Sequence, residues 1–408
     1  MKKTQQSLRQ RRREKSLVLK LTEQVEKSRK VGRETDQLTE YLERHYRFRY
    51  NTVMGYAEYH ELGQVNWQPV DERAENSLTM ELRMAGINIW NSDVKRFVCS
   101  RHLKDFNPIT AFLDSVRGTW DGKDHIGQLA ATVSCRCEYW PQWLRTWLLG
   151  MVAQWLGVNN KYGNSMVPLL ISDQGFGKST FCRQLLPPEL RWGYMDSLLL
   201  SEKKQVLQAM SQMLLINLDE FNQISRKLQE GFLKNIIQLP VVMARRPYGR
   251  RVEELPRKAS FIATTNMTDV LTDVSGNRRF MAIELKRPID TASMPEPRQL
   301  YAQILDALER GERYWFDDEQ TKLLIRHNHR YEQQSPAELY FAEIFKVASD
   351  EKEGQWLTAT AIFDKLRHVA GAAIPANSLT SFGRMLTHMD GLRHRRSSSG
   401  SFYLVAMK

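Results

Sequence analysis

The segment ISDQGFGKSTFCRQLL constrains the fold most, because it joins an apolar strand, a glycine-rich loop and a helix in that order. Two glycines in the loop can adopt backbone angles closed to other residues, so that successive N–H groups approach phosphate oxygens. The lysine is placed to neutralise β- and γ-phosphates, the serine to bind Mg²⁺, and the helix to point its positive end at the same phosphates. The pattern predicts an α/β fold with a phosphate-binding loop. The predicted contacts to ATP are Gly175, Phe176, Gly177, Lys178, Ser179 and Thr180, with Ser179 also a ligand of Mg²⁺.

One position departs from the usual GxxxxGK[ST] pattern, because Ser172 stands where the first glycine is expected. Serine is small, so we expect the turn to form, and nucleotide affinity is the property that the change affects. The remaining Gly-x-Gly-Lys-[Ser/Thr] core arises by chance in about one or two per cent of chains of this length. The loop is therefore a specific signal.

A pair of acids follows a second apolar strand, which we predict from Met213 to Leu218. Asp219 ends this strand beside the loop of the strand that we expect to be its neighbour, where a carboxylate can hold Mg²⁺ through water. Glu220 is then placed to orient and deprotonate the attacking water. Taken alone, such a pair is usually an acidic surface feature, but combined with the loop it predicts a catalytic site.

A third strand, ASFIATTN, ends at Asn266, whose amide we predict to contact the γ-phosphate or the attacking water. The alternative is an ordinary strand end. Further along, GNRRFMAIEL places Arg278 and Arg279 before another strand, where they can supply an arginine finger to the ATP of a neighbouring subunit. A surface pair, or a pair that faces DNA, is the alternative for these two residues.

The net charge of +12 is concentrated in three regions, which predicts an anionic partner. Residues 1–34 carry +8, residues 245–258 carry +4 and residues 388–408 carry +3, so the rest of the chain is close to neutral. Such patches suit nucleic acid better than general solubility. No segment reaches the roughly 18 apolar residues of a membrane span, and the four cysteines form no CxxC pair, so we expect no membrane partner and a cytoplasmic location.

The ordered set GFGKS, INLDE, IATTN and GNRRF resembles the virulence-associated protein E family, whose ATPase is similar to those of superfamily 3 helicases and poxvirus-type primase-helicases. The resemblance covers about residues 105 to 310 and includes the turn TWDGKDHIGQL and the segment RRPYGRRVEELPRKASFIATTN. It implies an α/β, AAA+-like P-loop ATPase core that uses ATP and Mg²⁺. It also implies a homo-oligomeric, DNA-dependent ring that acts in replication of phage, plasmid or integrated mobile elements.

Residues 241–251, VVMARRPYGRR, place basic side chains around a Pro-Tyr-Gly turn and predict a hairpin tip. The resemblance implies that this hairpin lines the pore of the ring and grips single-stranded DNA. Arginines and an aromatic ring suit this task, because they combine phosphate neutralisation with base stacking. A solvated hairpin is the alternative. The candidate DNA contacts are Arg245, Arg246, Tyr248, Arg250 and Arg251.

The sequence of residues 336–408 predicts two helices followed by a β-hairpin, which is the order of elements in a small winged helix. Arg393, Arg395 and Arg396 lie on the predicted wing, where phosphate contacts position a protein on duplex DNA. Winged-helix modules also bind proteins, and that alternative stays open.

These observations together predict four regions: a basic helical arm (1–45), a small α/β module (46–104), a helical lead-in with the P-loop ATPase domain (105–335) and a winged-helix-like domain (336–408). For the arm, a solvated tail is the alternative. The leading functional hypothesis is an ATP-dependent DNA helicase or translocase. The alternatives are an initiator or loader that remodels DNA without unwinding it, and a DNA-binding module with a structural nucleotide site. The sequence shows no legible primase site, so priming would need a separate primase.

Overall fold

The structure is a computed structural model that describes residues 20, 24, 32–158, 163–225, 228–246, 251–272, 277–333, 335–389, 391–397 and 400–408. It is a mixed α/β structure, with about 47% helix and 20% strand. Of the predicted basic arm, residues 1–31 lie outside the described residues except for 20 and 24, and residues 32–45 form helix α1.

A small α/β unit follows α1. Its elements are β1 (Tyr46–Asn51), β2 (Tyr56–Glu61), β3 (Gln68–Pro69), α2 (Glu72–Met84), α3 (Asn91–Val98) and β4 (Asp105–Phe106). The four strands form one sheet in the order β3-β2-β1-β4. The Asp71 carboxylate caps α2 by accepting a hydrogen bond from the Ala74 N–H. Leu42 of α1, Leu82 of α2 and Val94 of α3 are completely buried, so three helices share one core with the sheet.

Three helices lead into the central region. They are α4 (Pro108–Val116), α5 (His125–Ala131) and α6 (Trp140–Leu156). The apolar stripe of α6, which the helical spacing predicts to be core, is buried: Trp143, Trp147 and Trp155 are each at most 2% exposed. No described helix combines the length and the apolar character needed to cross a membrane.

The central region is built around a second sheet. Its elements are β5 (Val167–Ile171), α7 (Lys178–Gln184), β6 (Tyr194–Met195), α8 (Lys203–Gln212), β7 (Leu215–Leu218), α9 (Lys234–Ile236), β8 (Val241–Arg245), β9 (Val252–Pro256), β10 (Ser260–Thr265), β11 (Phe280–Glu284), α10 (Pro297–Glu309) and α11 (Asp318–Asn328). The strand β7 begins two residues later than the predicted Met213, because the Met213 N–H still donates to the Ala209 carbonyl of α8 at 2.7 Å.

Five parallel strands form this sheet in the order β11-β5-β10-β7-β6. Successive residues point to opposite faces, so Leu169 and Leu170 of β5 enter two different cores. Helices α4, α5, α6, α7 and α10 cover one face, and α8, α9 and the β8–β9 hairpin cover the other. Burial of both faces explains why the central strands read as continuous apolar runs.

The C-terminal region forms a third sheet with its own core. Its elements are α12 (Pro336–Ile344), β12 (Phe345–Val347), β13 (Gln355–Thr358), α13 (Ala359–Ala370), α14 (Leu379–His388), β14 (His394–Ser397) and β15 (Gly400–Met407). Strands β12, β13 and β14 all pair antiparallel with β15. Phe341, Phe363 and Phe382 bring α12, α13 and α14 together against it.

Candidate functional site

The glycine-rich loop connects β5 to α7 at the carboxyl edge of the central sheet. Gly175 and Gly177 have φ angles of 81° and 78°, in the left-handed region that other residues rarely adopt. Ser172 does not need such an angle, and its N–H donates to the Thr265 carbonyl of β10 at 3.2 Å. The turn therefore forms with serine in place of the first glycine. The Ile289 N–H donates to the Phe176 carbonyl at 3.0 Å and holds the middle of the loop.

The Lys178 ammonium group lies against the start of this loop. Its Nζ donates to the carbonyl oxygens of Ser172 at 2.7 Å and Asp173 at 2.9 Å, and to the Ser172 Oγ at 2.9 Å. Burial lowers the pKa of Lys178, while the negative charges of Asp219 and Asp173 act in the opposite direction. A partly buried ammonium group surrounded by oxygen ligands is thus ready to exchange some of them for another oxygen donor. Ser179 and Thr180, in the first turn of α7, are exposed.

Asp219 and Glu220 follow β7 directly, and both are exposed. The Thr264 Oγ1 of β10 donates to the Asp219 Oδ1 and fixes the orientation of that carboxylate. Glu220 has a φ of 50° and is the one non-glycine residue with a positive φ among the described residues. Such backbone strain costs about 1–3 kcal/mol and is concentrated at functional sites. The Glu220 Oε2 accepts a hydrogen bond from the Gln223 Nε2.

The prediction that β7 neighbours β5 is wrong, because β10 lies between them and pairs with both. The end of β10 therefore stands between the loop and the acids. There the Thr265 Oγ1 donates to the Asn222 Oδ1 at 3.1 Å, and Asn266 follows the strand. The sequence analysis did not single out Thr264, Thr265 or Asn222. The signal for the threonines was present as two polar residues at the end of an otherwise apolar strand.

One cavity of about 420 Å³ brings most of the predicted site together. Its lining includes residues 174–180 of the loop, Asp219 and Glu220 after β7, and Asn266 after β10. The side chains available in it are one ammonium group, two carboxylates, hydroxyls and amides. Such a set can bind an anion beside a divalent cation and provide a base for water.

Arg278 and Arg279 do not line this cavity, and the two residues differ in their exposure to solvent. They form the 3₁₀ turn Asn277–Arg279 before β11. Arg278 is exposed, whereas Arg279 is 6% exposed. With the Gln238 amide turned so that its oxygen faces the guanidinium group, that oxygen accepts from the Arg279 Nε at 2.6 Å. Arg279 is therefore largely buried within its own chain and contacts Gln238, whereas Arg278 is on the surface.

The predicted hairpin exists as the antiparallel pair β8–β9, and its tip, with Tyr248 and Arg250, lies outside the described residues. Arg245 and Arg251 flank that tip and are exposed. Arg246 is half-buried, because it pairs with Glu253 at 3.3 Å and its Nη1 donates to the Thr52 carbonyl at 3.2 Å. Two arginines are thus available to a ligand, and a third holds the hairpin against the N-terminal unit.

The three predicted wing arginines lie on or beside β14, all of whose residues are exposed. The Arg395 guanidinium lies over the Trp356 ring at 4.4 Å, and the Arg393 Nη1 donates to the Ser349 carbonyl at 3.4 Å. Arg396 is exposed on the same strand. Because Arg395 and Arg396 are successive residues of β14, their side chains point to opposite faces of that strand.

Comparison with known families gives two matches. A family model described as the virulence-associated protein E-like domain matches residues 113–333. A second model, described as a domain of unknown function from B. Theta, matches residues 334–405. No curated protein sequence matches the chain.

Solved structures give further likenesses. The chain is similar to the apo structure of the NrS-1 C-terminal region (305–718), with 13% identity and a TM-score of 0.46, over 91% of this chain and 98% of that chain. It is also similar to the structure titled "SCCmec type IV Cch - active helicase", with 9% identity and a TM-score of 0.38, over 88% of this chain and 92% of that chain.

Proposed function

Since the chain belongs to the virulence-associated protein E-like domain family, we propose that it is an ATPase that moves along single-stranded DNA during replication of a mobile genetic element. The observation that carries this proposal is the 420 Å³ cavity, in which the glycine-rich loop, Lys178, Asp219 and Glu220 meet. On this proposal the central sheet is an AAA+-like P-loop core, and the C-terminal region is a winged-helix-like module.

The chemistry of the cavity fits ATP and Mg²⁺. A Cβ atom added at Gly175 would have no other atom within 4 Å, so there is open space for phosphates beside the loop. Lys178 binds three oxygen atoms already, and phosphate oxygens are stronger partners of the same kind. The exposed Ser179 hydroxyl and Asp219 carboxylate are oxygen donors, which Mg²⁺ prefers. Ser179 and Asp219 would hold the metal, Asp219 through water.

Each residue then has a distinct task in hydrolysis. Bound Mg²⁺ would neutralise charge on the β- and γ-phosphates. Lys178 would orient the same phosphates, and the Asn266 amide would contact the γ-phosphate or the attacking water. Glu220 would leave the Gln223 amide to accept a proton from that water. The strained backbone at Glu220 supports this role, since it aims the carboxylate at the cost of local stability.

A ring of identical subunits would complete the site. An arginine finger from a neighbouring subunit raises turnover by about 10³ to 10⁵ in related chemistry. We assign this role to Arg278, because it is exposed on the turn before β11, and leave Arg279 as its internal support. The ring proposal explains why neither arginine lines the cavity of its own chain.

The exposed arginines at the hairpin, with Tyr248 at its tip, would grip single-stranded DNA in the pore. The surface of β14 would contact duplex phosphates through Arg395 and Arg396. Priming would fall to a separate primase. The basic C-terminal surface also favours a second candidate function, an ATP-hydrolysing loader that remodels duplex DNA without unwinding it.

The test is ATP hydrolysis by the purified chain with and without single-stranded DNA, followed by strand displacement on a forked duplex. A translocase should hydrolyse ATP faster with single-stranded DNA and should displace the strand. A loader should hydrolyse ATP without displacing it. Absence of hydrolysis under both conditions would refute both candidate functions.

A further inference from the structure

A second, larger cavity of about 780 Å³ lies between the N-terminal α/β unit and the β8–β9 hairpin. We call it the hairpin cleft. Beside this cleft, two hydrogen bonds join the N-terminal unit to the central region: the Arg246 Nη1 donates to the Thr52 carbonyl at 3.2 Å, and the Gln212 Nε2 of α8 donates to the Met54 carbonyl at 2.9 Å. Cavities of roughly 300–1,000 Å³ are the size that binds small ligands, so the hairpin cleft has room for a nucleotide.

The most informative residue of the cleft is Glu75 in the first turn of α2, which lines the cavity and is 7% exposed. Among the described residues, none donates a hydrogen bond to its carboxylate or forms an ion pair with it. The Glu75 oxygens are not among the fully buried unpartnered side-chain atoms of the described residues, so the carboxylate of this largely buried side chain opens into the cavity. The charge of Glu75 adds to burial in raising the pKa of the Cys99 thiol, which also lines the cleft. The carboxylate therefore lies beside the cavity and lacks a donor that a ligand can supply.

The other groups of the cleft suit the remaining parts of a nucleotide. Tyr50 contributes an aromatic ring, and in the part of the chain that the structure describes its hydroxyl makes no hydrogen bond. Arg101 and Lys104 line the cleft and are exposed, so they are available to a phosphate. Of the two further acids that line the cleft, Glu253 is already paired with Arg246, and Asp105 is exposed. Glu75 is thus the largely buried acid of the cleft, and the available cations are exposed.

We infer that the hairpin cleft takes up one nucleotide of the DNA strand gripped by the hairpin, and that it selects a base that carries an amino group. This inference rests on the DNA-binding function proposed above. The amino group of cytosine or adenine donates to the Glu75 carboxylate, as in other carboxylate contacts with cytosine. The base stacks on Tyr50, and Arg101 and Lys104 contact its phosphate. Thymine has no amino group, and its single N3–H donor is flanked by two carbonyl oxygens that a carboxylate repels.

The experiment measures binding of fluorescently labelled dC, dA and dT homopolymers of equal length by anisotropy at fixed salt. The wild-type chain should bind dC and dA about tenfold more tightly than dT, as expected for one good carboxylate-to-amino contact. The Glu75→Leu variant should bind all three strands with the affinity that the wild-type chain has for dT. Glu72→Leu is the matched control, because Glu72 is an exposed acid of the same helical turn, and it should keep the preference.

Two further readouts keep the test independent of the fold of the Glu75→Leu variant. A photoreactive iodocytosine in the strand should crosslink the wild-type chain within the peptide that contains Tyr50. Free deoxycytidine monophosphate should compete only weakly, because it lacks the neighbouring phosphates that the hairpin binds. Equal affinity of the wild-type chain for dC and dT would overturn this inference and leave the proposed DNA-binding function standing. A free nucleotide that binds as tightly as the strand would have the same consequence. Failure to bind any strand would refute the proposed DNA function as well.

Discussion

Replacing Thr264 with valine tests the role of Asp219 with little change of shape. Thr264 is 1% exposed, and its Oγ1 donates to the Asp219 Oδ1. Valine keeps the branched side chain and removes the donor. A hydrogen bond to a charged group is worth about 1.5–3 kcal/mol, and the low end applies here because the Asp219 carboxylate is exposed and water replaces part of the bond. About 1.5 kcal/mol corresponds to roughly tenfold weaker Mg²⁺ binding, within the range for residues that orient a metal ligand.

The assay is ATP hydrolysis as a function of Mg²⁺ concentration at saturating ATP. Thr264→Val should need about ten times more Mg²⁺ for half-maximal activity and approach the wild-type rate when Mg²⁺ saturates. The matched control is Thr265→Val. It removes a hydroxyl that donates to the Asn222 Oδ1 at 3.1 Å, so it should leave the Mg²⁺ requirement unchanged. Equal shifts in both variants, or no shift in Thr264→Val, would refute the assignment of Asp219 as the residue that holds the metal.

Four other predictions follow from the same geometry. Glu220→Gln should bind ATP and fail to hydrolyse it, because an amide cannot accept the proton; loss of ATP binding would show that Glu220 has another role. Lys178→Ala and Arg278→Ala, each inactive alone, should regain part of their ATPase activity when mixed. Arg279→Ala should instead lower the melting temperature, because Arg279 is 6% exposed and its removal leaves a cavity. Absence of rescue despite demonstrated subunit exchange would argue against a finger in trans. Burial lowers the pKa of Lys178 below the usual 10.5, and phosphates bind the protonated form, so ATP affinity should fall as the pH rises through this lowered pKa. An ATP affinity that stayed constant up to pH 10.5 would contradict this prediction.

The local features of this chain were predictable, because each depends on residues that are close in sequence. The glycines at 175 and 177 require a loop between a strand and a helix, and the structure has one there. The spacing of the tryptophans in α6 predicts a buried stripe, which is confirmed. The paired strands of the hairpin and the helices of the C-terminal region are also local patterns, and both are present.

The features that the sequence analysis did not predict depend on contacts between segments that are distant in the sequence. The insertion of β10 between β5 and β7 is a choice of strand pairing that no single strand encodes. The Thr264 contact with Asp219 spans 45 residues, and the burial of Arg279 is unexpected for an arginine beside an exposed one. The hairpin cleft is lined by residues from two units, so the sequence of residues 46–104 considered alone did not indicate a binding site.

The most direct test of the central claim is equilibrium binding of Mg–ATP to the wild-type chain, to Lys178→Ala and to Lys286→Ala. Lys286 is the matched control, because it is an exposed lysine just after β11, which neighbours β5. We predict that the wild-type chain and Lys286→Ala bind with similar affinity and that Lys178→Ala does not bind. Equal binding by all three proteins, or by none of them, would contradict the assignment of the 420 Å³ cavity as the ATP site.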